Sequence, residues 1–180
     1  MRLAVFALAL LISALSSSAA SAAPAQQAPS CQKGQSLREE DKTTGVVVQK
    51  TRLTPQPDTF DPLLVWTSDD PGSVTFAVLG NGNRARYPHC NGLTLVVDGR
   101  AVVMSKPKYQ QEASGSRAVE YLTADIAWAE AEKIGAAKAI HYKICNDEFH
   151  APPEFVCQAR DVIESATAMR KAPAGKGPGR

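Results

Sequence analysis

The stretch His141 to Cys157, HYKICNDEFHAPPEFVC, gathers two cysteines, two histidines and three carboxylates. Residues of these types at this density suit three kinds of chemistry. Thiolate and imidazole from Cys145, His150 and Cys157 are zinc ligands. A histidine near a hydroxyl makes a nucleophile–base pair. Oxidised cysteines make a structural corner. The metal reading lacks a Cys-x-x-Cys knuckle, and the expectation is that no metal or other cofactor is bound. The acid pair Asp147 and Glu148 is adjacent, so in an extended chain the two carboxylates point to opposite faces. Just ahead of a helix they would complement its positive end, and His150 would then sit at the helix entrance. Elsewhere His89 and His141 lack a Gly-x-Ser-x-Gly elbow. The run Gly80 to Arg84, GNGNR, lacks the Gly-Lys-Ser/Thr and following helix of a phosphate loop and suits a hairpin turn. No catalytic, cofactor or metal residue is assigned.

The compartment decides how the cysteines behave. The chain of 180 residues opens with Met1 and Arg2, an apolar run Leu3 to Leu15, and small residues Ser16 to Ala22 in an Ala-x-Ala frame. This is the layout of a secretory signal cleaved after Ala22; cleavage one residue later would put Pro24 next to the scissile bond. The apolar run falls short of the roughly 20 residues of a membrane span, and nothing later is long and apolar enough to be one. A lipoprotein reading of Cys31 fails because Ala28 to Ser30 lies well past the apolar run. Periplasmic or secreted export exposes four cysteines, Cys31, Cys90, Cys145 and Cys157, to oxidation, and an even number predicts two disulfides.

Net charge is +2, with few aromatics. There is no basic excess to neutralise phosphates and no stacking platform, which excludes nucleic acid as a partner.

Patterning places the elements. Residues 23–44 are expected to be a linker or extended segment, residues 45–169 one α+β domain, and residues 170–180 a disordered basic tail. Gly45 to Leu53 is a β-branched strand. Leu63 to Ser68 and Ser73 to Gly80 flank an Asp-Asp-Pro-Gly turn and form a hairpin. Leu93, Leu95 and Val97 alternate up to Asp98-Gly99, the pair that favours a type I′ turn. Lys106 to Arg117 looks like a polar loop, and Ala118 to Leu122 a short strand. A helix over about 123–134 has Thr123 as N-cap and Ala124, Ala127, Trp128, Ala131 and Ile134 as its stripe. In the strand that follows, Ile140, Tyr142 and Ile144 share one face and His141 and Lys143 the other. A second helix over about 152–169 carries the stripe Phe155, Val156, Ala159, Val162, Ile163 and Ala166. The expected architecture is a mainly antiparallel sheet with both helices packed on one face, braced by disulfides.

At 100° per residue, Cys157 points away from the stripe of its helix, so its partner must approach from outside the core. The segment bearing Cys31 can do so, leaving Cys90 to pair with Cys145. The competing scheme joins Cys145 to Cys157 locally and Cys31 to Cys90; geometry decides, since bridged Cα atoms lie within about 7 Å.

The stretches RYPHCNGLTLVVDGR and YLTADIAWAEAEKIGAAKAIHYKICNDEF together resemble a pattern in poorly characterised exported bacterial proteins: a Cys before a strand, a strand ending in Asp-Gly, a helix, then a strand ending in Cys before an acidic-Phe turn. The resemblance implies an exported α+β domain and no particular site residue. The functional expectation is a small non-enzymatic binding domain of the bacterial cell envelope, its ligand a protein or small molecule. The alternatives are a small envelope hydrolase using a histidine, and a proteinaceous inhibitor of a secreted hydrolase that presents Lys106 to Arg117.

Overall fold

Antiparallel pairing organises most of the chain in a computed structural model that describes residues 30–31, 36–52, 58–90 and 92–171. The expected signal peptide, half of the linker or extended segment and nearly all of the basic tail fall outside those residues. Ten strands and two helices follow in order: β1 (Leu37–Glu40), β2 (Val47–Lys50), β3 (Phe60–Thr67), β4 (Ser73–Gly82), β5 (Leu93–Val97), β6 (Arg100–Ala101), β7 (Lys108–Ser114), β8 (Arg117–Ala127), α1 (Trp128–Gly135), β9 (Ile140–Ile144), β10 (Asp147–His150) and α2 (Pro153–Lys171). The strands form two sheets rather than one. The larger has the order β1-β2-β3-β4-β8-β7, the smaller β10-β9-β5-β6, and every pairing is antiparallel.

One apolar cluster draws on both sheets and both helices. Period-two alternation sends Leu64 and Trp66 of β3, Val74, Phe76 and Val78 of β4, and Leu122, Ala124 and Ile126 of β8 inward. Leu93, Leu95 and Val97 of β5 and Ile140, Tyr142 and Ile144 of β9 meet them. The ring of Phe76 sits edge-on to Tyr142 at 6.0 Å and to Phe155 of α2 at 6.5 Å. All six stripe residues of α2 are buried, and each large one contributes roughly 1.5–3 kcal/mol by leaving water. Helix α1 packs on α2 and reaches β4 and β8, while α2 lies against β2 and β3.

Three expectations about single elements need correction. The first helix starts at Trp128, not Thr123, because Thr123 to Ala127 continue β8. Ala124 fits both a helical stripe and an alternating strand, and pairing with β4 from Gly82 down to Ser73 decides for the strand. The helix then begins at Ala127 without a side-chain cap. The polar loop Lys106 to Arg117 is largely β7, an edge strand whose Gln and Glu residues face water. Asp147 and Glu148 do not precede a helix; they belong to β10, which folds back on β9 through Cys145 and Asn146. β1 falls inside the segment expected to be a linker or extended, and is extended there, paired with β2. The Asp-Gly hairpin follows the expectation: Asp98 and Gly99 have φ of 48° and 80°, as a type I′ turn requires.

The cysteines lie at disulfide distance as Cys31–Cys157 and Cys90–Cys145, with Cα separations of 5.1 and 6.2 Å. Cys157 is buried and paired with Cys31. Just ahead of β1, Ser36 gives its backbone N–H (2.9 Å) and its hydroxyl (2.5 Å) to Asp161 of α2.

Candidate functional site

The stretch His141 to Cys157 is divided among three elements and does not converge on one centre. Cys145 and Cys157 belong to different pairs, so the ligand set Cys145, His150 and Cys157 is not assembled. Among the described residues, no three His, Cys, Asp or Glu side chains are grouped so as to hold a metal by themselves. His150 ends β10 instead of opening a helix; its neighbour is His141, with ring centroids 4.2 Å apart. His141 Nδ1 stands 3.8 Å from Glu148. His89 lies in the loop before Cys90. The histidine contacts are thus to another histidine and a carboxylate rather than to a serine nucleophile.

Concavity lies elsewhere, where β3, β4 and β8 meet the loop 83–90. A cavity of about 560 Å³ is lined by residues that include Asp58, Phe60, Asn81, Arg84, Arg86 and Glu120. A second, of about 310 Å³, shares Asp58, Thr59, Phe60 and Arg86 with it and extends to Asp61, Tyr142 and His150. The two form one cleft with Arg86 and Phe60 between its halves.

Local sequence explains this shape. Phe60 is paired across the sheet with Gly80. A Cβ on Gly80 would collide with the Phe60 ring, so the glycine lets the ring lie on β4 as a floor. That floor packs edge-on against Tyr87 at 4.9 Å and tilted against Phe149 at 5.9 Å. At the end of β4, Asp58 adopts φ of 61° and gives its N–H to the Asn81 carbonyl at 2.7 Å, which hooks the entering chain onto the strand.

The loop 83–90 is held from below by Glu120. In the sequence Ala118-Val119-Glu120-Tyr121-Leu122 the alternation turns this carboxylate inward, and it is only 2 % exposed. It accepts the backbone N–H of Arg86 at 2.7 Å, that of Tyr87 at 2.8 Å and the Tyr109 hydroxyl at 2.9 Å. Burial is compensated because each donor would otherwise lack an acceptor. Burial and the bond to Glu120 push the Tyr109 hydroxyl up to about 12. The same loop is held from the side by β10: Asp147 accepts from Tyr87 Oη at 2.5 Å and from the Arg86 guanidinium at 3.1 Å. Burial, and then that bond, raise the Tyr87 pKa. Tyr142 gives its hydroxyl to the Phe60 carbonyl at 2.5 Å, and burial raises its pKa too. The Cys90–Cys145 pair closes the far end of the loop onto the β9–β10 turn.

Asn81, Arg84 and Phe60 all line the larger cavity. Asn81 Oδ1 is itself buried with no hydrogen-bond partner. Arg84 makes no ion pair among the described residues, whereas Arg86 is held by Asp147. An unpaired guanidinium and an aromatic ring lining one cavity are a binding arrangement. Tyr87, Tyr109 and Tyr142 are all held in their neutral form at ordinary pH.

Phe60, Arg86 and Glu120 were not singled out from the sequence; Asn81 and Arg84 lie in the run Gly80 to Arg84, which was expected to be a hairpin turn and instead ends β4 and opens the loop 83–90. Glu120 alone left a usable signal, a carboxylate at an inward position of an alternating strand. The others depend on the pairing of strands distant in sequence. Compared with known proteins, the chain matches no family model, no curated protein and no solved structure.

Proposed function

We propose that the chain is an exported, disulfide-braced, non-enzymatic binding domain of the bacterial cell envelope, and that its ligand occupies the cleft at Phe60, Asn81 and Arg84. Both helices are taken to back the same face of the larger sheet, which leaves the loop 83–90 end open to the ligand. The observation that carries the reading is the cavity lined by Phe60 and by Arg84, which makes no ion pair among the described residues. The guanidinium selects an anionic group, and Phe60 and Pro88 offer apolar surface. The volume of about 560 Å³ suits a small organic acid or the end of a peptide. Export is supported by the N-terminal pattern and by cysteine pairs that persist only in an oxidising compartment.

A thermal-shift screen tests this. The mature protein and Arg84→Ala are heated with N-acetyl amino acids, short peptides, dicarboxylates and sugar acids. The expected result is a midpoint rise with an anionic compound that is lost in Arg84→Ala. Turnover of an ester, amide or glycoside probe that survives Arg84→Ala and disappears in His150→Ala would favour the hydrolase. The inhibitor reading loses its presenting loop, since Lys108–Ser114 is a paired strand.

A further inference from the structure

The outer face of the smaller sheet carries a second group of chemistry-bearing side chains, of which His150 also lines the smaller half of the cleft. In β9, Ile140, Tyr142 and Ile144 are buried, so His141 and Lys143 point outward. In β10 the residues directly opposite are His150 and Glu148, which share that face. Register also fixes the spacing. The Ala151 N–H donates to the Ile140 carbonyl at 2.9 Å, which makes 140/151 a hydrogen-bonded position. His141 and His150, one step along, therefore occupy a non-hydrogen-bonded pair, the position where opposing side chains stand closest. Their ring centroids are 4.2 Å apart and their planes cross at 62°. On the other side of His141 lies Val96 of β5, an apolar neighbour that offers neither imidazole a hydrogen bond.

Beside the pair, Glu148 stands 3.8 Å from His141 Nδ1 and is held at 3.0 Å by Lys143. A carboxylate next to one ring nitrogen orients a histidine whose other nitrogen faces a metal.

We propose that His141 and His150 form a two-imidazole site for a divalent transition metal, copper(II) in preference to zinc, with Glu148 as the residue that positions His141. Two neutral imidazoles at a fixed cross-strand distance chelate one ion, each nitrogen approaching to about 2.0–2.1 Å. Imidazole suits copper, nickel and zinc, and copper(II) stands highest in the divalent affinity order. With only two protein donors, the other coordination positions belong to water or to a group brought by a partner, as in an open rather than a structural site. Lys143 is occupied by Glu148, so its ammonium is turned to the carboxylate rather than to the ion.

The test uses the untagged mature protein after chelator treatment, titrated with copper(II) chloride and separately with zinc chloride. Calorimetry and copper(II) paramagnetic resonance are the readouts, and near-ultraviolet circular dichroism checks that each variant is folded. The expected result is one copper per chain with two nitrogen donors and weaker zinc binding. Affinity should fall about tenfold or more in His141→Ala and in His150→Ala, fall about tenfold in Glu148→Gln, and stay unchanged in His89→Ala. Absence of saturable copper binding, or copper binding in the folded His141→Ala/His150→Ala protein equal to that of the wild type, overturns the site. Loss in only one of the two histidine variants overturns the chelate, and unchanged affinity in Glu148→Gln overturns the positioning role.

Discussion

The two cysteine pairs sit in contrasting surroundings. Cys31–Cys157 fastens the segment ahead of β1 to α2, 126 residues away, reinforced by Ser36 on Asp161 and by Arg160, which donates to the carbonyls of Gly135 and Ala137 at 3.2 and 3.0 Å. Cys90–Cys145 spans 55 residues and joins the cleft loop to the β9–β10 turn, alongside the Asp147 contacts. The first holds distant parts of the chain together and does not line the cleft. The second holds the loop that forms the cleft. Global stability and site geometry are thus assigned to different cross-links, and each can be broken separately.

The largest effect is expected from the bridges themselves. Replacing both members of either pair by Ser should cost about 2–5 kcal/mol. In the chain-entropy picture the longer loop contributes about 0.7 kcal/mol more, so the Cys31/Cys157 variant should have the lower denaturant midpoint. The cleft readout should run the other way: a ligand that shifts the wild-type midpoint should still shift the Cys31/Cys157 variant and fail on the Cys90/Cys145 variant. Equal loss of binding in both would end the contrast.

Next in size is Glu120→Ala. It removes the acceptor of two backbone N–H groups and the Tyr109 hydroxyl, and buried donors left unmet cost roughly 1–3 kcal/mol each before water enters. A destabilisation of about 2–4 kcal/mol in urea unfolding is expected, with faster amide exchange confined to Arg86 and Tyr87. Exchange that quickens equally around Ser36 would show that the two regions are not separate.

A smaller change is expected from Gly80→Ala. The added Cβ must displace the Phe60 ring, at about 1–3 kcal/mol for an overpacked position. The ring also contacts Tyr87, so near-ultraviolet circular dichroism should change with little loss of secondary structure.

The smallest effect is alkaline. Tyr109 has its pKa raised from 10.0 to about 12 in the folded chain, and Tyr87 and Tyr142 are raised as well. A raised folded pKa means stability that is complete below about pH 10 and declines as pH climbs through the folded values, because the unfolded chain loses those protons first. The unfolding midpoint should therefore fall from about pH 10 upward, and Tyr109→Phe should lessen the slope over pH 10–12. An identical slope in the variant would remove Tyr109 from the account.

Legibility followed locality. The Asp98-Gly99 turn and the α2 stripe are written in consecutive or helically spaced residues, and both are found where the pattern puts them. The outward direction of Cys157 came from the same arithmetic. Thr123 to Ala127 misled because alanine and aspartate satisfy a helix period as well as a strand, and only the long pairing with β4 decides. The segment Lys108–Ser114 misled because an edge strand needs few apolar residues, and Asp147–Glu148 because acids before a double proline mimic a helix start. The cleft was hardest to foresee. Phe60 meets Gly80, and Glu120 meets Arg86 and Tyr87, and no window of sequence contains those pairs.

The two bridges are also nested: Cys90 and Cys145 lie between Cys31 and Cys157. A chain delivered N-terminus first into an oxidant exposes Cys31 and then Cys90, well before either native partner. Pairing in order of arrival joins Cys31 to Cys90 and Cys145 to Cys157, which is the wrong set. The correct set requires that Cys31 stay reduced until α2 has arrived, or that an early bond be exchanged, a process of minutes to hours without help. For a chain exported as proposed, the second route makes maturation depend on a disulfide isomerase and not on an oxidase alone, whereas the first does not.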